Sequence, residues 1–169
     1  MGYVDQNLIQ GEQVTYRAPL HWKVTLLPLL ISLLLLALAI VAFEHALGGD
    51  TSRTLLLIGT ILLIVSVITL IKGWITRASA EFAVTNKRVI LKTGFLRKKT
   101  AEMFLAKIES VGVDQTVMGR VFGYGSIELR GTGGSLEPFS DITQPLEFRR
   151  HIQQQIGETL DRQSFPDRR

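Results

Sequence analysis

The chain has 169 residues, 19 Lys or Arg against 15 Asp or Glu for a formal net charge of +4, and no cysteine. The missing thiols exclude disulfides and thiolate metal sites, and so small a basic excess gives no case for nucleic-acid binding. The apolar residues are unevenly spread: two uncharged runs, 24–43 and 54–71, sit side by side near the start, and nearly everything polar follows them.

Residues 1–23 carry Asp5 and Glu12 against Arg17 and Lys23 and read as a polar N-terminal segment. The first apolar run, at 1.5 Å per residue, matches a hydrocarbon core of roughly 30 Å, and the second reaches that length if 73–75 dip into the interface. Residues 24–75 are therefore expected to form a transmembrane helical hairpin. No Asp, Glu, Lys, Arg or His interrupts either run, which leaves a pump or transporter without charge carriers in the membrane. Thr25, Ser32, Thr60, Ser66 and Thr69 are expected to return their hydroxyls to a carbonyl one turn back, and Gly59 permits close helix approach without a strong small-xxx-small pattern around it. Trp22, Lys23, Lys72 and Trp74 bracket the hairpin as interfacial anchors. A cleaved leader fits poorly despite Ala37-Leu38-Ala39 and Ala42, because the preceding segment is balanced in charge and the apolar run is too long. A buried helix pair in a soluble core would need a partner layer that the remaining chain cannot supply. Of the basic residues only Arg17, Lys23 and Arg53 precede Lys72, so essentially the whole net positive charge lies after the second run. The positive-inside rule then places the C-terminal domain in the cytoplasm, and two spans place the N-terminus there too. The expectation is a multi-pass protein of a cytoplasmic membrane.

Past the hairpin the pattern turns to period two. Residues 81–85 and 88–93 alternate as strands around a tight Asn86-Lys87 turn; Gly94 ends the second, 95–99 connects, and 100–105 and 108–113 resume the extended pattern. Residues 118–123 read as a compact loop, 126–130 as a strand, 131–134 as a turn, and 135–140 as a strand carrying Leu136 and Phe139. Short strands at such spacing predict a small antiparallel barrel or sandwich. Thr143 as N-cap and Pro145 in the first turn open a C-terminal helix whose Phe148, Ile152, Ile156 and Leu160 recur on one face. That helix is expected to plug the open end of the barrel, giving an α+β domain over 78–163 with a tail at 164–169.

The order of these pieces resembles the membrane-anchored bacterial pleckstrin-homology (PH)-like family. The matching residues are 81–91 followed by Gly94, Ile108-Glu109-Ser110-Val111, Gly119-Arg120, Gly123-Tyr124-Gly125 and Gly131-Thr132-Gly133-Gly134, with Leu8, Gly11-Glu12 and His21-Trp22 ahead of the spans. The resemblance implies a PH-like domain capped by its C-terminal helix, a bacterial inner-membrane location, and a lipid-facing or protein-binding module rather than an activity. It departs from phosphoinositide-binding PH domains, which carry their basic motif on a longer first hairpin loop, so no stereospecific phosphoinositide pocket is expected.

Lys87, Arg88, Lys92, Arg97, Lys98 and Lys99 put six cations on two neighbouring strands and their connections. Against an anionic leaflet each contributes about 1 kcal/mol, so they form the candidate lipid or partner surface; the bland alternative is a solvated face. The chain offers little for enzyme chemistry. His21, His45 and His151 are scattered, no nucleophile has a base beside it, and the glycine run 131–134 lacks a Walker lysine. Neither catalytic residues, metal ligands, a cofactor nor a small-molecule substrate is expected. The expected partners are membrane lipids and a membrane-protein partner or second copy. Two functions follow: a membrane-tethered adaptor binding anionic lipid or a protein at the inner leaflet, or a structural subunit of a larger membrane complex.

Overall fold

The computed structural model describes residues 2–47, 52–95, 98–135 and 138–164. In chain order these form α1 (Tyr3–Gln6), β1 (Val14–Ala18), α2 (Lys23–Ala46), α3 (Ser52–Ala78), β2 (Glu81–Thr85), β3 (Arg88–Thr93), β4 (Lys99–Phe104) and a 3-10 turn (Leu105–Lys107). They continue as β5 (Ile108–Asp114), α4 (Val117–Phe122), β6 (Tyr124–Gly131), β7 (Gly134–Ser135), β8 (Phe139–Thr143) and α5 (Pro145–Ser164). The chain divides into two units: Met1–His21 with Ala78–Arg169, and Trp22–Arg77.

In the first unit, strands β1-β2-β3-β4 make one antiparallel sheet. In the second sheet β6 pairs with β5 along one edge and with β7 and β8 along the other. Of the expected barrel or sandwich, the closed barrel is not formed. Phe82 pairs with Leu91 and Val84 with Val89, and this face meets the second sheet, where the Phe82 and Phe139 rings stand edge to face with centroids 6.2 Å apart. Ala83 and Ile90 point to the other face, where Val4 covers them with Tyr3, Leu8 and Val14 packed around it. Two covered faces explain why β2 and β3 are buried almost continuously.

The N-terminal segment is thus part of the fold and not a lead-in to it. β1 pairs with β2, and Leu20 then bridges to Ile142 of β8, flanked by bonds from His21 N–H to Asp141 O (2.7 Å) and from Thr143 N–H to Pro19 O (3.1 Å). One stretch of chain stitches both sheets together.

α5 packs against β1 and β2 of one sheet, β5 and β6 of the other, and the 3-10 turn, so it lies across both sheets where a barrel plug was expected. It begins one residue later than the sequence indicates: Thr143 still pairs in β8, and Gln144, at φ 49°, supplies the carbonyl that accepts from Glu147 and Phe148 N–H. Phe148 and Ile152 are fully buried, Ile156 is half-buried and Leu160 is 56% exposed. The expected stripe is real, but only its first half reaches the core. Residues 135–140 do not form one strand: β7 ends at Ser135 and β8 starts at Phe139, and Leu136 lies outside the described residues.

In the second unit, α2 and α3 are 24 and 27 residues, or about 36 and 40 Å, with mean hydropathies of 3.0 and 2.8 in their most apolar stretches. Both are long and apolar enough to cross a membrane. They run antiparallel along a seam of small residues spaced by seven: Ser32, Ala39 and Ala46 on α2 are buried against a row of Gly59, Ser66 and Gly73 on α3. A Cβ on Gly73 would stand 2.8 Å from Pro28, and one on Gly59 would stand 3.2 Å from the Phe43 ring. The heptad spacing replaces the four-residue pattern sought in the sequence. Thr60 and Thr69 return their hydroxyls to Leu56 and Val65 as expected, whereas Ser66 Oγ donates across the seam to Ser32 O at 2.8 Å.

Because Ile152 is enclosed and Leu160 is not, Ile152→Ala should destabilise the full chain by about 2–5 kcal/mol. Leu160→Ala should stay within about 0.5 kcal/mol of wild type. Equal losses for the two variants in thermal melting would contradict this placement of the helix.

Candidate binding surfaces

Arg88 opens β3, directly after the Asn86 turn, and its side chain is carried inward beneath the N-terminal segment. It is buried, 8% exposed. Its Nε and Nη2 donate to the two oxygens of Glu12 at 3.0 and 3.1 Å, its Nη1 to Glu102 at 2.6 Å, and its Nη2 also to Asn7 O at 2.6 Å. Glu12 accepts in addition from Ile9 N–H at 2.8 Å, and the Thr85 hydroxyl lies 2.7 Å from it. Burial pushes the Glu12 carboxyl up, but the bonds from Ile9, Arg88 and Thr85 outweigh it and hold the group below the usual carboxylate range.

The same segment occupies two more of the cations read as a surface. Lys92 reaches Glu81 at 3.4 Å and lies 4.8 Å from the centre of the Tyr3 ring. Glu81 also accepts from Tyr3 and Val4 N–H at 2.8 and 3.0 Å. Burial raises its carboxyl, and those backbone bonds together with Lys92 bring it below the usual range. Lys87 Nζ donates to Gln10 O at 2.7 Å. Asn86 completes the latch, donating from its amide to Gly11 O (3.1 Å) and accepting from Gln13 N–H (2.9 Å).

Arg88 is therefore not a surface cation, and Lys87 and Lys92 are committed to holding residues 3–12. Lys98 and Lys99 are exposed, Lys99 lying 5.3 Å from the Phe139 ring centre, and Arg97 lies outside the described residues. Of the five that are described, Arg88 is buried while Lys98 and Lys99 are exposed. The physical reason is that a guanidinium at the base of a tight hairpin, covered by another segment, needs carboxylates and not water.

The hairpin residues read as anchors stay on the surface of their own unit. Trp22 is 45% and Trp74 72% exposed, Lys72 is exposed and Lys23 half-buried, and Trp22 O accepts from the Thr25 hydroxyl at 2.6 Å. The histidines do not assemble into a site: His151 stacks on Tyr16 with ring centres 4.1 Å apart, His45 Nδ1 bonds Val41 O, and His21 Nε2 donates to Phe122 O at 3.0 Å. Among the described residues no group of three His, Cys, Asp or Glu could hold a metal ion.

Two features that sequence reasoning did not single out remain. β5 pairs, among the described residues, only with β6, so its outer edge is open beside α5. Next to it lies a groove of about 160 Å³ lined by Leu105, Ala106, Ile108, Ile156, Thr159 and Leu160. The second feature is α4, where a compact loop was expected. Thr116 Oγ1 caps it by accepting from Gly119 N–H at 3.0 Å, and Gly123 closes it in the left-handed region at φ 74°. Those two residues were the available sequence signal, masked by a glycine in mid-helix.

A two-sheet domain with one C-terminal helix laid across both sheets, following two apolar helices, agrees with the family comparison, in which residues 23–156 match the bacterial PH domain. The chain belongs to the bacterial PH domain family. No curated protein and no solved structure matches it. In this PH domain the matched region starts at residue 23, so the strap of residues 2–21 that neutralises Arg88 lies ahead of it.

Removing Arg88 leaves Glu12 buried without its counter-ion. Arg88→Met should cost about 3–5 kcal/mol, and Glu12→Gln with Arg88→Met should recover part of that loss. The depressed carboxyls of Glu12 and Glu81 stabilise the fold above the ordinary glutamate range. That contribution is lost as pH falls through this range and below it, because the protons bind the unfolded chain more tightly. Melting temperatures that stay flat on acidification from neutral would contradict the assignment.

Proposed function

We propose that this chain is a membrane-tethered, non-enzymatic PH-like adaptor of a bacterial inner membrane. The α2–α3 hairpin anchors it, and the domain offers the open edge of β5 and its adjoining groove to an extended segment of a protein partner at the inner leaflet. The observation that carries the tether is the insertion of the hairpin into the domain. The chain leaves the domain after His21 and returns at Ala78, while β1 pairs with β2 across that insertion. A domain built from both flanks requires both ends of the hairpin on one side of a bilayer, which two crossings satisfy and one does not. Cleavage of a leader within residues 24–43 would strip β1 from its sheet.

The adaptor reading draws on the chemistry of the edge. An unpaired strand presents N–H and C=O groups that an added strand satisfies, while alternate side chains of that strand enter adjacent apolar space. The lipid-headgroup reading loses support because Arg88, Lys87 and Lys92 have internal partners. Lys98 and Lys99 are exposed and add positive charge to that side of the domain.

A photo-crosslinking residue at Leu160, in the groove, should capture a defined protein in living cells, whereas one at the exposed Gln154 should not. A product of twice the chain mass at Leu160 would favour the structural-subunit reading. The same products from both positions would contradict a docking site in the groove.

A further inference from the structure

α4 carries four large apolar side chains with more than half of their surface exposed: Val117 is 79%, Met118 61%, Val121 72% and Phe122 54% exposed. This arrangement is built. Gly119 is buried, and a Cβ there would stand 2.6 Å from Tyr124 O, so the helix lies on β6 through its glycine and turns its apolar residues outward. Gln115 Nε2 donates to Tyr124 O at 3.0 Å, and Gln144 N–H to Gly123 O at 2.8 Å, which fix the segment at both ends. Leu146, soon after Gln144, is a further exposed apolar residue at 57%. Arg120 is the sole charged residue of the helix and is exposed.

The location of α4 follows from covalent continuity. His21, 4% exposed, holds Phe122 O through its ring at 3.0 Å, and its ring centre is 5.0 Å from that of Tyr124. The next residue along the chain is Trp22, the N-cap of α2, and successive Cα atoms are about 3.8 Å apart. Whatever angle the domain takes, the end of α4 stays beside the point where the chain passes into the first apolar helix.

We propose that α4 is a second bilayer contact. Val117, Met118, Val121 and Phe122 enter the interfacial layer, and Arg120 reaches the headgroups on its flexible stem. The occupant is lipid and not a protein because this patch is tied to the residue preceding an apolar span. The inference rests on the membrane reading of α2 and α3. Its consequence is orientation: a domain joined to the membrane at His21 and at Ala78 is held at a third point and loses its freedom to roll.

The chain has no native cysteine, so single labels are clean. An environment-sensitive fluorophore on Val121→Cys is compared with the same label on Leu34→Cys in α2 and Gln154→Cys on α5, each in the full chain in phosphatidylcholine–phosphatidylglycerol vesicles. The vesicles carry nitroxide lipids labelled either near the headgroup or deep in the acyl chain. We expect the label at 121 to shift to the blue and lose most of its emission to the shallow nitroxide, that at 34 to lose it to the deep one, and that at 154 to respond to neither. Quenching at 34 with none at 121 overturns the inference and leaves the tether intact. A blue shift at 121 without quenching means that protein covers α4, which also overturns it. No quenching at 34 removes the membrane reading and this inference together. Val121 is exposed, so an unchanged melting temperature verifies that its replacement leaves the fold intact.

Discussion

A guanidinium buried under the first sheet must be neutralised, and the carboxylate that grips it with two hydrogen bonds comes from the far side of two apolar helices in the sequence. The pairing of Arg88 with Glu12 fixes residues 3–12 over β2 and β3, and Val4 then covers Ala83 and Ile90. Left alone, either ion would carry a desolvation cost of several kcal/mol. Together they give the strap a specific seat that apolar packing alone would not define. The Glu81 carboxylate and the Asn86 amide repeat this logic at two further points on the same hairpin.

This seat determines what the rest of the surface can do. The cations nearest the first hairpin, Lys87, Arg88 and Lys92, are paired within the fold. Among the described residues a strand edge at β5, an apolar groove beside α5 and the exposed apolar residues of α4 lie open. The Arg17–Asp5 pair and the Arg150–Glu147 pair, by contrast, are exposed, and contribute little to stability.

Much of the second half of the fold was legible from residue pattern because its contacts are local. The strands at 81–85 and 88–93 have the expected boundaries since alternation and a tight turn bearing Asn86 act within a dozen residues. β1 was not legible: Val14–Ala18 is short, lies among balanced charges, and finds its partner only beyond the hairpin. Arg88 looked like its exposed neighbours Lys98 and Lys99, because sequence carries the charge of a side chain but not its partner. α4 hid behind Gly119, a residue that disfavours helix interiors by about 1 kcal/mol and is present because the helix must touch Tyr124 O. The small-residue seam of the hairpin escaped because its period is seven. Of the candidate binding features, the edge of β5 and the groove depend on which strands pair and how far α5 extends past the core, neither of which local periodicity encodes.

The account depends most on the strap of residues 2–21 as a structural part of the domain, and the direct measurement is cooperative melting of a fragment covering 78–164, alone and mixed with a peptide of residues 2–21. The account predicts no cooperative transition for the fragment alone and a concentration-dependent one when the peptide is added. A fragment that melts cooperatively by itself, at a temperature the peptide does not change, would contradict it.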